Sequence, residues 1–498
     1  HVMELGRLAN DNPPKLRSID QKGRRIDKVE FHPAYHELMA LSFRHGLHSG
    51  AWEAVAAGKT PPQGALVRRA VQYYLITQAE AGHLCPITMT HAAVPSLEAN
   101  GALLSRLMPK LVGRDYDPSF QPIEGKTAIT IGMGMTEKQG GTDVRANITE
   151  AKPLGADGLY EITGHKWFMS APMCDAFLVL AQAPGGLSCF FMPRFRAGGG
   201  LNAIRIERLK DKLGNRSNAS SEVTFLGAEA TLVGEEGRGV PTIIEMVTLT
   251  RLDCIVTSAA WMRFGLANAL RHARYRTVFQ RKLVDQPIMK TVLADLALDV
   301  EAATALAFRL ARSFDNAPSD PQEAAFRRLM TPVAKYWICK IAPAFVYEAM
   351  ECMGGNGYVE EGPMARLYRE APLNAIWEGS GNVMCLDILR VMQREPDAVE
   401  AVLASLGAAA QGGPHVKAAL GRLKTALASR SLGEGDARHL AESLAIIAAA
   451  SLLAANAPPE IAEPFAATRL AGGWRYSYGA GLQGASRDAI LERAGEGL

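Results

Sequence analysis

The chain has 498 residues, of which 48% are hydrophobic and 21% charged, and its formal net charge at pH 7 is +3. This composition is ordinary for a soluble globular protein, the length predicts roughly three domains, and the small net charge says little about partners. No apolar run reaches the length that a membrane helix needs, so we predict no membrane partner. The best run, residues 444–455, is short and Ala-rich and is predicted to be a buried helix.

The seven cysteines are scattered, odd in number and without C-x-x-C spacing. Together with the lack of a signal-peptide pattern after His1, this usage predicts reduced core thiols in a cytoplasmic protein. Their apolar settings raise the thiol pKa and argue against a catalytic cysteine. We predict no metal site.

Residues 1–130 have helical periodicity with polar interruptions, and we predict an N-terminal helical domain. The clearest amphipathic helix is expected to bury one apolar stripe, made of Val67, Ala70, Val71, Tyr74 and Leu75. Nothing in this segment carries obvious chemistry.

Residues 131–239 predict a small central β domain, because short β-branched and aromatic runs alternate with turns that contain Gly, Pro or Asn. The predicted strands lie at 160–162, 177–181, 187–192 and 222–226, with turns at 184–186 and 214–215. The basic stretch 205–216 is interleaved with acidic residues, so we interpret it as a solvated strand face rather than a phosphate contact.

Residues 240–393 return to helical periodicity and predict a four-helix bundle domain. The first helix is expected at 252–278 and the third at 324–350, with Pro332 and Pro343 as kinks or breaks; the fourth follows Asn382. The second helix begins at Pro287, and its buried face is predicted to contain Ile288, Val292, Leu296, Val300 and Leu310.

Beyond Arg394 the composition shifts to Ala, Leu and Gly, and residues 394–498 predict an additional C-terminal helical domain. The fold class is therefore α+β, with helical, β, helical-bundle and further helical parts in that order.

Residues 132–144 form a candidate ligand loop, in which glycines and threonines offer backbone and hydroxyl hydrogen bonds to a flat polar ligand. The loop does not match the G-x-G-x-x-G motif of dinucleotide-binding folds, because Glu137 occupies the position of the third glycine. About twenty-five residues later, Trp167 or Phe168 could stack on a planar ring while Ser170 bonds its edge. The alternative for each segment is ordinary core packing.

In order and spacing, these segments resemble the acyl-CoA dehydrogenases. The matching motifs are Met135-Thr136-Glu137 with Gly141-Thr142-Asp143, Lys166 to Ser170, Gly354 to Tyr358, and Trp377-Glu378-Gly379-Ser380. The resemblance covers almost the whole chain. It is closest to the AidB branch, flavoproteins associated with the adaptive response to DNA alkylation, through residues 133–144, 208–219 and the region beyond the dehydrogenase core.

The resemblance implies an acyl-CoA dehydrogenase fold, an FAD cofactor and a homotetramer in which a neighbouring subunit contributes to the cofactor site. The implied cofactor contacts are Met133, Gly134, Met135, Thr136, Thr142, Trp167, Phe168, Met169, Ser170, Arg276, Phe279, Gly354, Gly355, Ile376, Trp377, Gly379, Ser380 and Asn382.

Glu378 matches the glutamate that removes the α-proton of an acyl thioester in the family. Its alternative interpretation is an acidic residue stabilised by a helix N-terminus. Some relatives, including isovaleryl enzymes, carry the base at the place of Thr250, and threonine cannot serve there. Trp377 replaces the tyrosine usual in the family, and its larger ring is expected to narrow the acyl pocket and to weaken dehydrogenation.

The AidB likeness also implies double-stranded DNA as a partner of the C-terminal region. That region is not basic overall, with ten basic residues against eleven acidic ones. Its only local basic run consists of Lys417, Arg422, Lys424 and Arg430, and a solvated helix face is as good an interpretation as a phosphate contact. Two rivals remain: a metabolic short- or branched-chain acyl-CoA dehydrogenase, and a DNA-coating protein with a structural flavin.

Overall fold

The structure is a computed structural model that describes residues 1–155, 158–410, 413–428, 433–470 and 487–495. The described residues form two compact units. Unit 1 comprises His1–Ala65 with Ala79–Thr250, and unit 2 comprises Leu66–Gln78 with Arg251–Leu498.

The helices of the described residues are, in chain order, α1 Val2–Asp11, α2 Pro33–Arg44, α3 Glu53–Ala56, α4 Ala65–Thr77, α5 Leu84–Leu97, α6 Gly101–Leu111, α7 Gly239–Tyr275, α8 Pro287–Asn316, α9 Pro321–Glu351, α10 Gly355–Tyr358, α11 Pro363–Glu370, α12 Gly381–Arg394, α13 Pro396–Ala409, α14 Pro414–Ala428, α15 Ala437–Asn456, α16 Pro459–Leu470 and α17 Arg487–Ala494. The strands are β1 Lys15–Ile19, β2 Arg25–Glu30, β3 Ile131–Gly134, β4 Glu150–Pro153, β5 Leu159–Ser170, β6 Ala176–Ala183, β7 Gly186–Pro193, β8 Ile204–Leu209, β9 Ser220–Val233, β10 Thr277–Val278 and β11 Arg281–Lys282.

Unit 1 is built around a seven-stranded sheet in the order β3-β6-β4-β5-β9-β7, with β8 paired to β9. Because β7 also pairs with β6, the strands from β6 to β7 close into a ring. The central strands β6 and β7 are buried along most of their length, as their continuous apolar runs predict. All four predicted strands lie within β5, β6, β7 and β9, so that prediction is confirmed.

The purely helical description of residues 1–130 was incomplete. Strands β1 and β2 form an antiparallel hairpin that precedes α2. Their residues are mainly charged and only partly buried, so they carry no apolar alternation that would identify a strand.

Unit 2 is centred on α8 and α9, which pack on each other and against α12, α13, α15 and α17. Helix α8 begins at Pro287, where the missing N–H of proline costs no intrahelical bond, as predicted. Helix α9 runs through Pro332 and Pro343 without interruption, so neither proline ends it.

Three predictions in unit 2 were wrong. The first long helix ends at Tyr275 rather than 278, because β10 and β11 form a tight hairpin there. Ile288 was expected in the core, but it is 82% exposed. On α4, Val71 and Leu75 are exposed, whereas Ala70 is buried as predicted and Arg69 is buried beside it.

Helices of the C-terminal region pack on α8 and α9 within unit 2. Arg469 of α16 is fully buried and pairs with two carboxylates of α8, Asp295 at 2.6 Å and Asp299 at 2.9 Å. A buried ion triad of this kind joins the two elements strongly, because loss of either partner would leave an uncompensated charge.

One described helical segment, Glu434–Asn456, is long and apolar enough to cross a membrane by length and composition. However, 61% of its most apolar window is buried in the structure, and α15 packs against α8, α9 and α16. The sequence predicted that residues 444–455 form a buried helix, and the structure confirms this prediction.

Candidate active site

The predicted ligand loop is tied to β5 by a buried ion pair. Lys166 Nζ lies 2.7 Å from Glu137 Oε1, and both side chains are fully buried. Glu137 also accepts hydrogen bonds from the backbone N–H groups of Ile148 and Thr149. Burial alone would raise the pKa of Glu137, but the Lys166 charge and these hydrogen bonds hold it at about 2. The carboxylate is therefore an ionised anchor of the loop.

A backbone hydrogen bond joins the two predicted flavin-contact segments directly. Trp167 N donates to Thr136 O at 2.8 Å. A Cβ atom at Gly141 would lie only 2.5 Å from Thr136 Oγ1, so this glycine lets the loop fold over the threonine. Thr136 and Trp167 are thus fixed relative to each other within unit 1.

The glycines of β3 lie against packed side chains. A Cβ atom at Gly132 would lie 2.7 Å from the Phe177 ring, and one at Gly134 would contact Val179, Lys166 and Met169. Their missing side chains therefore accommodate the packed core on that side of the strand.

The exposed or half-buried members of the predicted unit 1 set are Met133, Met135, Thr136, Thr142, Trp167, Phe168 and Ser170. Gly134 and Met169 are buried, so the Met169 side chain packs in the core. Phe168 is 49% exposed, which is unusual for a large apolar ring and leaves it available to a ligand.

One face of Trp167 is already covered. Lys210 Nζ lies 3.5 Å from the centre of its ring and 4.4 Å from that of Phe168. Lys210 also pairs with Glu222 at 2.7 Å, and Arg208 pairs with the same carboxylate. This cation–π contact fixes the indole, so a flat ligand could use only its other face or its edge. The basic residues of the stretch 205–216 are thus largely paired within the β domain. This agrees with the interpretation of that stretch as a strand face rather than a phosphate contact.

The unit 1 segments fit an isoalloxazine ring. The loop, whose fold depends on Gly141, offers a hydroxyl and backbone donors. The adjoining strand adds an exposed aromatic ring. That donor set suits a planar ring with a polar edge, which is what the family resemblance implies.

In unit 2, Glu378 lies in a strained loop before α12. Its φ is +56°, a left-handed value that is uncommon outside glycine, and Gly379 follows with φ +97°. The Glu378 side chain is half-buried. The sequence anticipated the helix entry, since Ser380 is the N-cap residue of α12.

Two cations hold the Glu378 loop through its backbone. The buried Lys335 Nζ donates to the carbonyls of Asn374 at 3.0 Å, Trp377 at 2.8 Å and Gly379 at 2.7 Å. Arg251 Nε donates to Glu378 O at 3.0 Å. Four carbonyls that surround or belong to the predicted base are therefore satisfied by fixed donors, which stabilises the unusual backbone conformation.

Sequence reasoning missed both cations. Lys335 is a single charged residue inside an apolar stretch of α9, and Arg251 lies in the apolar middle of α7. A cation in an apolar stretch must be paired or hydrogen-bonded when it is buried. The position of these two cations was therefore the sequence signal that could have identified them.

The indole of Trp377 is fixed as well. Its Nε1 donates to Asn374 Oδ1 at 2.8 Å, and Asn374 Nδ2 donates to Ser258 Oγ at 3.1 Å. Thr250, in unit 1, is buried, and its hydroxyl donates to Val247 O at 3.0 Å.

The remaining predicted cofactor residues of unit 2 are exposed or partly exposed. Arg276 and Phe279 lie at the β10–β11 hairpin, where Phe279 is 93% exposed. Gly354 and Gly355 lie after α9, and Ile376 is also exposed. Asn382 Oδ1 accepts a hydrogen bond from Arg438 of α15, so this side chain already has a partner.

The predicted DNA contacts lie on or beyond α14. Lys417 is exposed, whereas Arg422 donates to Leu470 O at 2.8 Å and Lys424 pairs with Glu400 at 2.7 Å. Arg430 lies outside the described residues.

The cysteines lie in buried surroundings that disfavour a thiolate. All seven are buried and form no disulfide, as predicted. Burial raises the pKa of Cys174, Cys189 and Cys352 to about 12, so these groups are thiols at neutral pH.

Three family models match the chain. The adaptive response protein AidB N-terminal domain matches residues 1–118, the acyl-CoA dehydrogenase middle domain residues 132–227, and the acyl-CoA dehydrogenase C-terminal domain residues 237–393.

The chain is 52% identical over 401 residues to an Escherichia coli (strain K12) protein named as a candidate acyl-CoA dehydrogenase, AidB; the match covers 79% of this chain and 72% of that protein. It is 33% identical to acyl-CoA dehydrogenase family member 11 of Caenorhabditis elegans, over 78% of this chain and 64% of that protein, just under two thirds of its length. Among solved structures, C. elegans ACDH-11 in complex with C11-CoA superposes with a TM-score of 0.88 at 29% identity, covering 96% of this chain and 86% of that one. The chain therefore belongs to the acyl-CoA dehydrogenase superfamily of FAD-dependent oxidoreductases, and within it to the AidB branch.

Proposed function

We propose that this protein oxidises a short or branched acyl-CoA slowly, with isovaleryl-CoA as the first substrate to test. The observation that carries the proposal is the loop in which Lys335 and Arg251 hold the backbone around Glu378. Such rigid support is what a base needs when it must meet one proton of a bound substrate.

In this proposal, Glu378 removes the proton from the α-carbon of the acyl thioester. Bound FAD would supply the acceptor for the hydride that leaves the β-carbon. Thr136 and Ser170 would offer hydroxyls to the edge of the ring, and Phe168 would pack on it. Threonine cannot serve as the base at position 250, so the proton transfer is assigned to Glu378.

Slow turnover is proposed because of Trp377. Its indole is larger than the tyrosine of the family pattern, and its hydrogen bond to Asn374 keeps it from swinging aside. A fixed larger ring leaves less room for the acyl chain. The α-carbon of the substrate is then positioned less accurately relative to the base.

The test is the rate at which isovaleryl-CoA bleaches the flavin of the purified protein in a single turnover. Glu378→Gln should abolish bleaching and retain the flavin, whereas Glu395→Gln, an exposed glutamate of unit 2, should behave as the natural protein. Bleaching that survives Glu378→Gln would remove Glu378 from the role of base. A spectrum that does not respond to any acyl-CoA would favour a structural flavin.

As a second function we propose double-stranded DNA binding by the C-terminal region, associated with protection from alkylation. The support is the AidB membership and α14, which has no acidic residue and exposes Lys417. Pairing of Lys424 with Glu400 and of Arg422 with Leu470 O reduces the charge available for this surface.

The DNA proposal predicts duplex affinity that falls steeply as salt rises. Lys417→Gln should weaken binding and lower the slope of log K against log salt by about one. Lys290→Gln, which removes a cation from α8, is the matched control. Failure to retain duplex at low salt would end the proposal and favour a metabolic enzyme whose extra helices only support assembly.

We also propose a homotetramer in the cytoplasm. The exposed apolar residues Tyr275, Phe279 and Ile288 follow one another around the β10–β11 hairpin and the start of α8, which is typical of a subunit interface. None of the seven cysteines, all of which lie in the described residues, forms a disulfide, which supports a reducing compartment. Light scattering of the purified protein tests the assembly.

A further inference from the structure

A partly open cavity of about 430 Å³ lies in unit 1, and none of the residues that line it is a predicted cofactor contact. It is formed by residues around β2 and α2, the loop 116–121, the turn 171–175 and the end of β7. Its volume falls within the roughly 300–1,000 Å³ of small-molecule sites. No local sequence pattern predicts this cavity, because its walls come from widely separated parts of the chain.

The walls of the cavity are rich in aromatic side chains. Phe31 and Tyr35 stack with their ring centres 4.2 Å apart, and Phe120 meets Phe195 edge to face at 5.1 Å. Tyr116 adds a fifth ring. Such walls favour a ligand with a flat apolar body, because aromatic rings pack well face to face or edge to face.

Arg194 brings a buried positive charge to this cavity. The residue is only 5% exposed, and its Nε donates to Cys174 O at 2.9 Å. Its Nη2 is buried and has no hydrogen-bond partner among the described residues. Burial lowers the pKa of Arg194 to about 10, so the guanidinium still carries its charge at neutral pH. A buried charged donor left without an acceptor is costly.

The carboxylates that line the cavity or lie near it are held by other groups. Asp175 accepts from Lys126 Nζ at 2.7 Å and from Thr130 N at 2.8 Å. The other carboxylates each have partners of their own: Asp117 with Ser119 N at 2.9 Å, Asp27 with Arg25 at 2.8 Å and Glu30 with Arg17 at 3.3 Å. No carboxylate of the described residues lies within ion-pair distance of Arg194, although Asp175 and Asp27 act on it from farther away.

The charge count favours an anion with one negative charge. Lys126 is neutralised by Asp175, and burial lowers the pKa of His36, so that imidazole is neutral at pH 7. Lys28 is exposed to water. Arg194 is thus the only buried charge of the cavity without a close counter-ion in the described part of the chain, which suits a carboxylate better than a dianionic phosphate.

We propose that this cavity binds an aromatic monocarboxylate, whose carboxylate pairs with the Arg194 guanidinium and whose ring packs between the aromatic walls. Neither acyl-CoA oxidation nor DNA binding requires this site, and the proposal is independent of both.

The test is calorimetric titration of the full-length, FAD-loaded protein with phenylacetate and with phenylacetamide, which has nearly the same shape but no charge. Phenylacetate should bind at least about tenfold more tightly, as expected when a charge-assisted hydrogen bond is lost. Arg194→Gln should remove this preference, and Arg205→Gln, which changes an exposed arginine of the same unit, should keep it.

Phe120→Ala covers the case in which the Arg194 variant fails to fold, because Phe120 lies on a partly exposed loop. It should weaken phenylacetate several-fold and leave the preference over phenylacetamide intact. Equal binding of the two compounds, no binding to the natural protein, or equally tight binding of inorganic phosphate would overturn the proposal.

Discussion

Lys335 Nζ lies 2.8 Å from the backbone carbonyl oxygen of Trp377, immediately before the predicted catalytic base. The same ammonium donates to Asn374 O and Gly379 O, so one buried side chain takes up all three of its N–H donors on a single loop. The three carbonyl oxygens therefore satisfy the hydrogen-bonding capacity of the ammonium without a carboxylate. If Glu378 is the base, as proposed, Lys335 is a positioning residue for it, since it acts through the backbone.

Lys335→Met should misplace the Glu378 loop. The substitution keeps the apolar stem but leaves three carbonyls without their donor, which should cost about 2–4 kcal/mol of unfolding free energy. We expect the rate of flavin bleaching by isovaleryl-CoA to fall about a hundredfold, with a much smaller change in substrate affinity. Lys290→Met, which breaks a surface pair with Asp488, is the control. An unchanged bleaching rate would show that the Glu378 loop keeps its conformation without Lys335.

Lys166→Met should destabilise unit 1 by about 3–5 kcal/mol, because it leaves the buried Glu137 carboxylate without its counter-ion. Urea unfolding measures the loss. The double variant Glu137→Gln with Lys166→Met should recover part of it, because the unpaired charge is gone. A loss below about 1 kcal/mol for the single variant would mean that water reaches the pair.

Acid should destabilise the protein through two buried glutamates. The pKa of Glu137 and that of Glu80 are both about 2; burial would raise the Glu80 value, but hydrogen bonds and the charge of His83 outweigh it. Since both folded-state values lie below the ordinary 4.5, their stabilisation is complete above about pH 4.5 and is lost as the pH falls towards 2.

Urea midpoints at pH 6, 4 and 3 measure this loss. Glu80→Gln should be less stable than the natural protein at pH 6, and the difference should shrink at pH 3. A constant difference across that range would contradict the role of the ionised carboxylate.

Phe279→Ala should weaken cofactor binding and assembly without harming the fold of the subunit. The ring is 93% exposed, so its removal takes little away from the core. We expect the dissociation constant for FAD to rise about tenfold and the proposed tetramer to dissociate at higher protein concentration, while the far-ultraviolet circular dichroism stays the same. Tyr358→Ala removes another exposed ring of unit 2 and serves as a comparison. Unaltered FAD affinity would place Phe279 outside the cofactor site.

The sequence predicted the β domain, the main helices and the loop that carries Glu378, because each depends on local patterns. Turn residues marked the strands of 176–193, and Pro287 marked the start of α8. Lys335 and Arg251 could not be assigned, because their partners lie 39 to 44 and 127 residues away and only the tertiary fold brings them close.

The errors have equally specific causes. On α4, an apolar stripe was expected to face the core, but Arg69 is buried because it pairs with Asp253 at 2.6 Å. A paired charge can thus displace Val71 and Leu75 from the core. At the β10–β11 hairpin, Phe279 and Gln280 both have positive φ, although a two-residue turn of this kind normally signals itself by Asn-Gly.

The ion triad of Arg469 with Asp295 and Asp299 makes the C-terminal helices a structural part of unit 2. A chain cut after α12 would leave both carboxylates of α8 to be hydrated or protonated. Transplanting the C-terminal helices onto another member of the family would therefore also require grafting this acidic pair.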